Sequence, residues 1–523
     1  LTGVVAPNWA DERRRWSRFY ADRLIAQLRQ AVALMDDTPP HAMRPHFDSY
    51  VSLLNATAAR PDRVEPWLAL VDRLHPQPVR WGQWATWLAV LQRAAAKAAE
   101  ANQPARQEEY LAYAADLLLN TGQLTPALAM AQAAGDLARP ALAAWPLSIA
   151  GSVAAAVLRA QARYDDAQAL LDRARAEMAA MPALPAARAA LAGALLDQEE
   201  LRLLRYFRRP DAALALSTAI VDSLAAVPGV DPHDLAKAYV RRATVTWAAD
   251  SYQAAADDLR RAAALFRQAG DELQAVFAEG DLGVVYLSLS RYAEAEALKL
   301  AAIRAAEEVN ARRVLVSELG DLSVVYIGLG RMDLALDYAN RMVALAEELG
   351  NDAELSRGRG NRGYALLGLG RYDEALPDID FSLRRYREQG RHEGAIVTTI
   401  DMILYLRGTG QTAPAAQLAR ENYAAALAES LPRLHVITAR CLALFLPPAE
   451  QAALLRPTLA LARQHERPMD EAGCLFSLAT IAANAGERAA LYQEGAALLE
   501  RMGCPGWLEG RSADDPPLLP MTI

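Results

Sequence analysis

The sequence predicts an all-α solenoid, a row of antiparallel helix pairs, and three observations predict it. A 40-residue period recurs as GDLGVVYLSLSRYAEA from Gly280, GDLSVVYIGLGRMDLA from Gly320 and GNRGYALLGLGRYDEA from Gly360. Within each copy the apolar residues fall at helical spacing and not at the alternation of a strand. The length of 523 residues exceeds what one hydrophobic core usually supports, and an array of small units accounts for it.

Each unit can be read residue by residue. Leu282, Val285, Tyr286 and Leu289 form one apolar stripe of a first helix, Ser290 and Arg291 break it, and Tyr292 and Ala295 open a second helix that returns antiparallel. Gly283 and Ala295 are small enough to let the two helices approach. Tyr286 and Tyr326 occupy equivalent positions and are expected to fill equivalent core slots. Ala269-Gly270, Leu349-Gly350 and Gln389-Gly390 end second helices with the glycine that a left-handed C-cap favours. Fainter copies flank the clear ones: Thr246, Tyr252 and Ala255 stand one period before Tyr286, Tyr292 and Ala295, and Leu406, Gly410 and Ala415 stand one period after Leu366, Gly370 and Ala375. Gly122-Gln123-Leu124, Arg163-Tyr164-Asp165 and Arg209-Pro210-Asp211 mark similar turns at less regular spacing.

The pattern L-G-x-x-Y followed by L-G-R-Y-x-x-A resembles the tetratricopeptide repeat, in the long form found in kinesin light chains and spindle-orientation adaptors. That resemblance covers about residues 105 to 502 and implies a right-handed superhelical solenoid of tetratricopeptide-like helix pairs. The expected organisation is a helical arm-like subdomain over 1–100, irregular repeats over 101–230, regular repeats over 231–430, terminal capping repeats over 431–508 and a loose tail over 509–523.

The first hundred residues lack the repeat but read as helical. Trp16, Phe19, Tyr20 and Leu24 share one face, Phe47, Tyr50, Val51 and Leu54 another, and Pro39, Pro40, Pro61, Pro66, Pro76 and Pro78 divide the region into short helices. Arg15-Trp16 through Phe19-Tyr20, the Phe47-Asp48-Ser49-Tyr50-Val51 segment, and Trp81-Gly82-Gln83-Trp84 with Trp87-Leu88 resemble the arm that precedes the repeat sensor in STAND-class signal-transduction ATPases of bacteria. Leu499-Glu500-Arg501-Met502-Gly503 and Trp507-Leu508-Glu509 resemble the closing helix of such sensors. The sequence departs from that family at Ser49 to Ser52, where an asparagine-leucine-arginine triplet is common.

Composition excludes several classes of function. With 53% hydrophobic and 23% charged residues the chain is folded in character. Its formal charge of -8, from 63 acidic and 55 basic residues, provides no basic face for nucleic acid. No apolar run reaches the length of a membrane span, and no leader opens the sequence. Cys441, Cys474 and Cys504 form no C-x-x-C pair, which fits a reducing cytoplasm. The histidines, His41, His46, His75, His233, His392, His435 and His465, have no metal-binding spacing, so neither metal nor cofactor is expected. No G-x-x-x-x-G-K-[ST] occurs, and none of the lysines Lys97, Lys237 and Lys299 follows a glycine. The chain is therefore expected not to be an enzyme. Leu1 in place of an initiator methionine predicts a longer polypeptide, and the STAND resemblance implies an upstream nucleotide-binding domain within it.

What remains is binding, and helical phase suggests where. Opposite the Leu282/Tyr286 stripe stand Phe277, Gly280, Val284, Leu287 and Ser288, and in the repeat family this face lines the concave groove. The ligand-binding residues expected there are Lys237, Arg241, Trp247, Phe277, Gly280, Asp281, Gly320, Asp321, Arg357, Gly360, Asn361, Tyr364, Asp401 and Arg407. Asp281, Asp321, Asn361 and Asp401 form a column at one-period spacing, with Arg241 at the same position in the preceding unit. A column of acceptors favours donor-rich or cationic ligands, whereas Arg241, Arg357 and Arg359 can instead neutralise it between repeats. Gly280, Gly320 and Gly360 either leave room for a ligand or let helices pack. The expected partner is an inducer, whether protein, peptide or small molecule, whose capture controls the upstream switch. A constitutive scaffold for protein–protein interaction is the alternative.

Overall fold

The regular units owe their shape to one turn. After the first helices Glu272–Ser288, Arg312–Gly328, Asp352–Gly368 and His392–Gly408, the chain reverses at Ser290, Gly330, Gly370 and Gly410, with φ of 56°, 76°, 71° and 80°. The residue after each reversal donates its N–H to a carbonyl of the helix just ended: Arg291 to Tyr286 O at 2.7 Å, Arg331 to Tyr326 O at 2.8 Å, Arg371 to Leu366 O at 2.9 Å and Gln411 to Leu406 O at 2.8 Å. Carbonyls that a helix end would leave unpaired are thereby satisfied. The second helices Tyr292–Glu308, Met332–Leu349, Tyr372–Glu388 and Thr412–Leu427 follow, and Gly270, Gly350 and Gly390 end second helices with positive φ.

This architecture comes from a computed structural model that describes residues 22–24, 26–33, 43–58, 64–206, 209–429 and 431–521. Trp16, Phe19, Tyr20, Arg15, Pro39, Pro40, Pro61 and His41 lie outside the described residues. Among the described residues every multi-residue element is helical, and the single β-bridge joins Ser512 to Asp515. Helix pairs continue upstream as Pro104–Asn120 with Leu124–Ala141, Ala144–Ala160 with Tyr164–Ala179, and Ala186–Tyr206 with Pro210–Ala226. The 21-residue helix Ala186–Tyr206 and the connection 180–185 before it are both longer than their counterparts in the regular units, which is why the Arg209 turn breaks the period.

The superhelix is wound tightly enough for one turn to touch the next. Arg80 pairs with Asp231 at 2.5 Å, Arg433 with Asp250 at 3.0 Å, and Trp507 Nε1 donates to Gly328 O at 2.8 Å. These partners are 151, 183 and 179 residues apart, so several units of the array separate them. Gly122 lies so close to Leu349 that a Cβ there would be 2.3 Å from its Cδ2.

Two expectations are corrected by this winding. The described residues up to 100 do not form a core of their own: Trp81, Trp84 and Trp87 share one apolar cluster with Phe277, Ala302, Ala306 and Ala311 of the regular repeats. The tail is not loose as far as it is described, because Leu519 and Met521 are each 1% exposed and the carbonyls of Leu519 and Pro520 accept hydrogen bonds from buried Arg440 at 3.0 and 2.9 Å. An arginine buried there needs acceptors, and Asp470 together with the folded-back tail supplies them. The tyrosine slots also differ. Tyr326 is buried, whereas Tyr286 is half-buried beneath the Arg291 guanidinium, 4.1 Å from its ring centroid.

Gly280, Gly320 and Gly360 each sit at a junction of three helices. A Cβ at Gly280 would stand 2.8 Å from Ala302 Cβ and 3.2 Å from Glu318 Oε2; at Gly320, 2.7 Å from Met342 Sδ and 2.8 Å from an Arg357 nitrogen; at Gly360, 3.1 Å from Ser382 Oγ. In each case the neighbours belong to the unit's own second helix or to the next first helix. The glycines are packing positions, and the open space expected beside them is filled.

These distances predict different outcomes for alanine. Gly280→Ala should lower stability despite alanine's helix-propensity advantage of about 1 kcal/mol, because Ala302 Cβ is fixed to its backbone and overpacking costs about 1–3 kcal/mol. Gly360→Ala, facing a serine hydroxyl that can rotate, should be neutral or stabilising. Urea denaturation midpoints of the two variants measure the difference, and equal shifts would contradict the packing account.

Candidate functional site

The residues singled out from sequence separate into three groups. Phe277, 7% exposed, packs into the cluster with Trp81, Trp84 and Trp87, and Tyr364, 9% exposed, packs into the core of the neighbouring units, so neither offers a free surface. Gly280, Gly320 and Gly360 are enclosed by neighbouring helices. Trp247 donates its Nε1 to Ser288 Oγ at 2.8 Å, and Asn361 donates its Nδ2 to Gly320 O at 3.1 Å. Both therefore tie one first helix to another. Arg407 is exposed at the end of its helix. Lys237 lines a cavity of about 30 Å³ with Trp145, Leu195 and Asp234, space for a water and little more.

The acidic column is not a row of free acceptors. Lys299, fully buried, places its Nζ 3.0 Å from Glu318 Oε2 and 2.7 Å from Asp321 Oδ2. Arg357 grips the other oxygen of Asp321 at 2.7 Å and also pairs with Glu354 at 2.8 Å. Burial pushes Glu318 up to about 7 against the attraction of Lys299. Asp321 moves the other way, below its ordinary value, because Lys299 and Arg357 outweigh its burial. Burial raises Asp281, while Lys299 and Arg241 oppose that shift. At Asp321 the column is internally neutralised, which removes the basis for a preference for cationic ligands at that position. Arg359 belongs to the same framework, bonding Glu347 at 3.1 Å and lying 4.2 Å from the Phe381 ring centroid.

Asp401 differs from its counterparts. It is 3% exposed, its Oδ1 has no hydrogen-bond partner, and burial alone pushes its carboxyl well above the ordinary range.

A basic group of which sequence reasoning finds only Arg241 lies on the first helices of four units. Arg159, Arg202, Arg241 and Arg313 come from Ala144–Ala160, Ala186–Tyr206, Pro232–Ala248 and Arg312–Gly328 and lie within electrostatic reach of one another. Burial lowers the pKa of all four. Repulsion adds to the effect at Arg202 (from Arg241, Arg159 and Arg313), at Arg241 (from Arg159) and at Arg313 (from Arg159 and Arg241), and the last two are pushed down to about 10. Those two still carry their charges at neutral pH. Glu199 touches Arg159 and Arg202 and offsets part of this cost.

Arg159 and Arg202 escape the repeat register because neither stands a whole number of periods before Arg241. Arg313 is in the first turn of its helix and reaches the group through superhelical winding. Lys299 has a legible signal: a lysine on the apolar stripe Tyr292, Ala295, Ala302, Ile303 and Ala306.

One buried histidine and the three thiols are held in their neutral forms. His75 accepts from Trp87 Nε1 at 3.2 Å and is held neutral, pushed down to about 3 by burial. The thiols of Cys441, Cys474 and Cys504 are free, buried and pushed up to about 12 by burial, so they remain protonated. Among the described residues no group of metal-ligating side chains gathers, and no helix is long and apolar enough to cross a membrane.

Fold and inner face together define a tetratricopeptide-like helical-repeat solenoid. No protein-family model matches the sequence, and no curated protein does. Among solved structures the chain is similar to a Rap protein complexed with competence and sporulation factor, with 13% identity and a TM-score of 0.53 over 69% of this chain and 97% of that one. It also matches the apo form of the quorum sensor NprR from B. thuringiensis, with 15% identity and a TM-score of 0.43 over 66% and 95%. The apo form of RapI matches with 13% identity and a TM-score of 0.41 over 51% and 98%. At 13% identity the likeness to the Rap protein is one of fold.

Asp401 yields a prediction whose sign is fixed. Its folded pKa lies above the ordinary 3.8, so the charged form destabilises the fold and the cost grows as pH rises past that value. Asp401→Asn should therefore be more stable than the wild type at pH 7, by about 1–3 kcal/mol, with the advantage vanishing below pH 4. Thermal melts across pH 3–8 check this, and a variant destabilised at neutral pH would contradict it.

Proposed function

We propose that this chain is the ligand-sensing repeat domain of a STAND-type signalling ATPase, capturing an inducer on the inner face of its first helices and thereby controlling a nucleotide-binding switch in the same polypeptide. The observation that carries the reading is the contact between successive superhelical turns. Arg80–Asp231, Arg433–Asp250 and Trp507–Gly328 are polar ties set beside apolar packing such as Trp81 and Trp87 against Phe277, and a ligand that favours one arrangement of such an interface can open or close it. A tightly wound superhelix encloses its inner face, which suits a peptide or small molecule better than a large permanent partner and favours sensing over a constitutive scaffold. The Rap protein of similar fold was crystallised with competence and sporulation factor, which supports placing a ligand in a solenoid of this kind. The arm motifs around Trp81 and Trp84 supply the STAND part of the proposal. A cytoplasmic location and the absence of catalysis by this chain belong to the same reading.

Nucleotide turnover tests it. The purified chain should hydrolyse no ATP, while the polypeptide as encoded in its gene should do so. Trp507→Ala, which removes the Nε1 contact to Gly328, should change that basal rate several-fold. An encoded polypeptide without nucleotide turnover, or a rate indifferent to Trp507, would overturn the proposal.

A further inference from the structure

Within the described residues the four arginines share one ion-paired carboxylate, Glu199. Among those residues Arg241 and Arg313 make no ion pair or hydrogen bond, and the Arg241 Nε is buried with nothing to donate to. The surrounding carboxylates are committed elsewhere. Glu199 is shared between Arg159 and Arg202, and Glu354 is held by Arg357 at 2.8 Å. Asp281 divides its attraction between Arg241 and Lys299, and Asp116 accepts a hydrogen bond from Asn120 at 3.3 Å. Arg159 and Arg202 keep 24% and 22% of their side-chain surface exposed, so a solute can reach the group. An unpaired buried donor costs free energy, and so does each pair of like charges; folding retains both here.

We propose that Arg159, Arg202, Arg241 and Arg313 form an oxyanion-binding site that takes the carboxylate or phosphate groups of an acidic small ligand. Planar guanidinium forks match both groups bidentately, and an anion among them converts mutual repulsion into shared attraction. The site is a product of the winding: Arg313 and Arg159 belong to units far apart in sequence, so an anion bridging them fastens one turn of the superhelix to the next. This inference names the chemical class of the inducer and rests on the sensing proposal for its role, though not for the binding itself.

The test uses the purified chain with two probes, citrate for carboxylate and inorganic pyrophosphate for phosphate, against sodium chloride at matched ionic strength. Calorimetric titration should detect saturable binding of at least one probe, with a rise in melting temperature, and the better probe identifies which oxyanion the inducer carries. Arg241→Gln and Arg313→Gln should each weaken binding at least tenfold while melting at or above the wild-type temperature without ligand, since neither residue is paired. Arg241→Lys, which keeps the charge and loses the fork, should fold and bind several-fold more weakly, and it decides the matter if a glutamine variant fails to fold. Neither probe binding beyond chloride, or variants binding as the wild type does, would overturn the site. Binding that leaves nucleotide turnover of the encoded polypeptide unchanged removes the sensing role and keeps the site; turnover that responds to Trp507→Ala without any oxyanion binding does the reverse.

Discussion

The close approach of helices at Gly280, Gly320 and Gly360 is the constraint on which the rest of the structure depends. Each glycine costs about 1 kcal/mol relative to alanine inside a helix, and each admits two neighbours, the second helix of its own unit and the first helix of the next. Ala302 and Glu318 meet at Gly280, Met342 and Arg357 at Gly320, and Ser382 with Thr398 at Gly360. Shortening the spacing of first helices tightens the inner radius of a solenoid, and a tight radius lets the array return onto itself within a few units. The inter-turn contacts of Arg80, Arg433 and Trp507 are consequences of that geometry, as is the core that Trp81, Trp84 and Trp87 share with Phe277.

Winding also concentrates charge. Solenoid units meet mainly their sequence neighbours, and a straight array would hold Arg159 far from Arg313. Here they lie within electrostatic reach of each other, and elsewhere Lys299 and Arg357 neutralise Glu318 and Asp321. The two groups behave differently for a physical reason. Lys299 and Arg357 each have carboxylates within 3.0 Å and hold helices together, whereas Arg241 and Arg313 have none among the described residues and store repulsion.

The helices, their period and their turns are legible in the sequence because they are local: Ser290, Gly330, Gly370 and Gly410 mark the same reversal in sequence and in space. Contacts between turns are not legible, since nothing near Trp507 points to Gly328 and nothing near Arg80 points to Asp231. Helical phase puts Gly280, Gly320 and Gly360 on an open groove because it treats a helix as isolated, while their real neighbours come from the two helices that follow each of them. The acidic column is visible in sequence and its meaning is not, since Lys299, in the second helix of the preceding unit, reaches Asp321 across the unit boundary. Arg159, Arg202 and Arg313 fall outside the periodic register, so a reading built on the repeat passes over all three.

Successive turns of this wound superhelix touch, as at Gly122 and Leu349. Spin labels on Thr125→Cys and Glu348→Cys, exposed positions on two turns that meet at Gly122 and Leu349, can be placed selectively because Cys441, Cys474 and Cys504 are buried. Pulsed dipolar spectroscopy should then return one narrow, short distance distribution that broadens and lengthens in Trp507→Ala. A broad, long distribution in the otherwise unaltered protein would contradict the account.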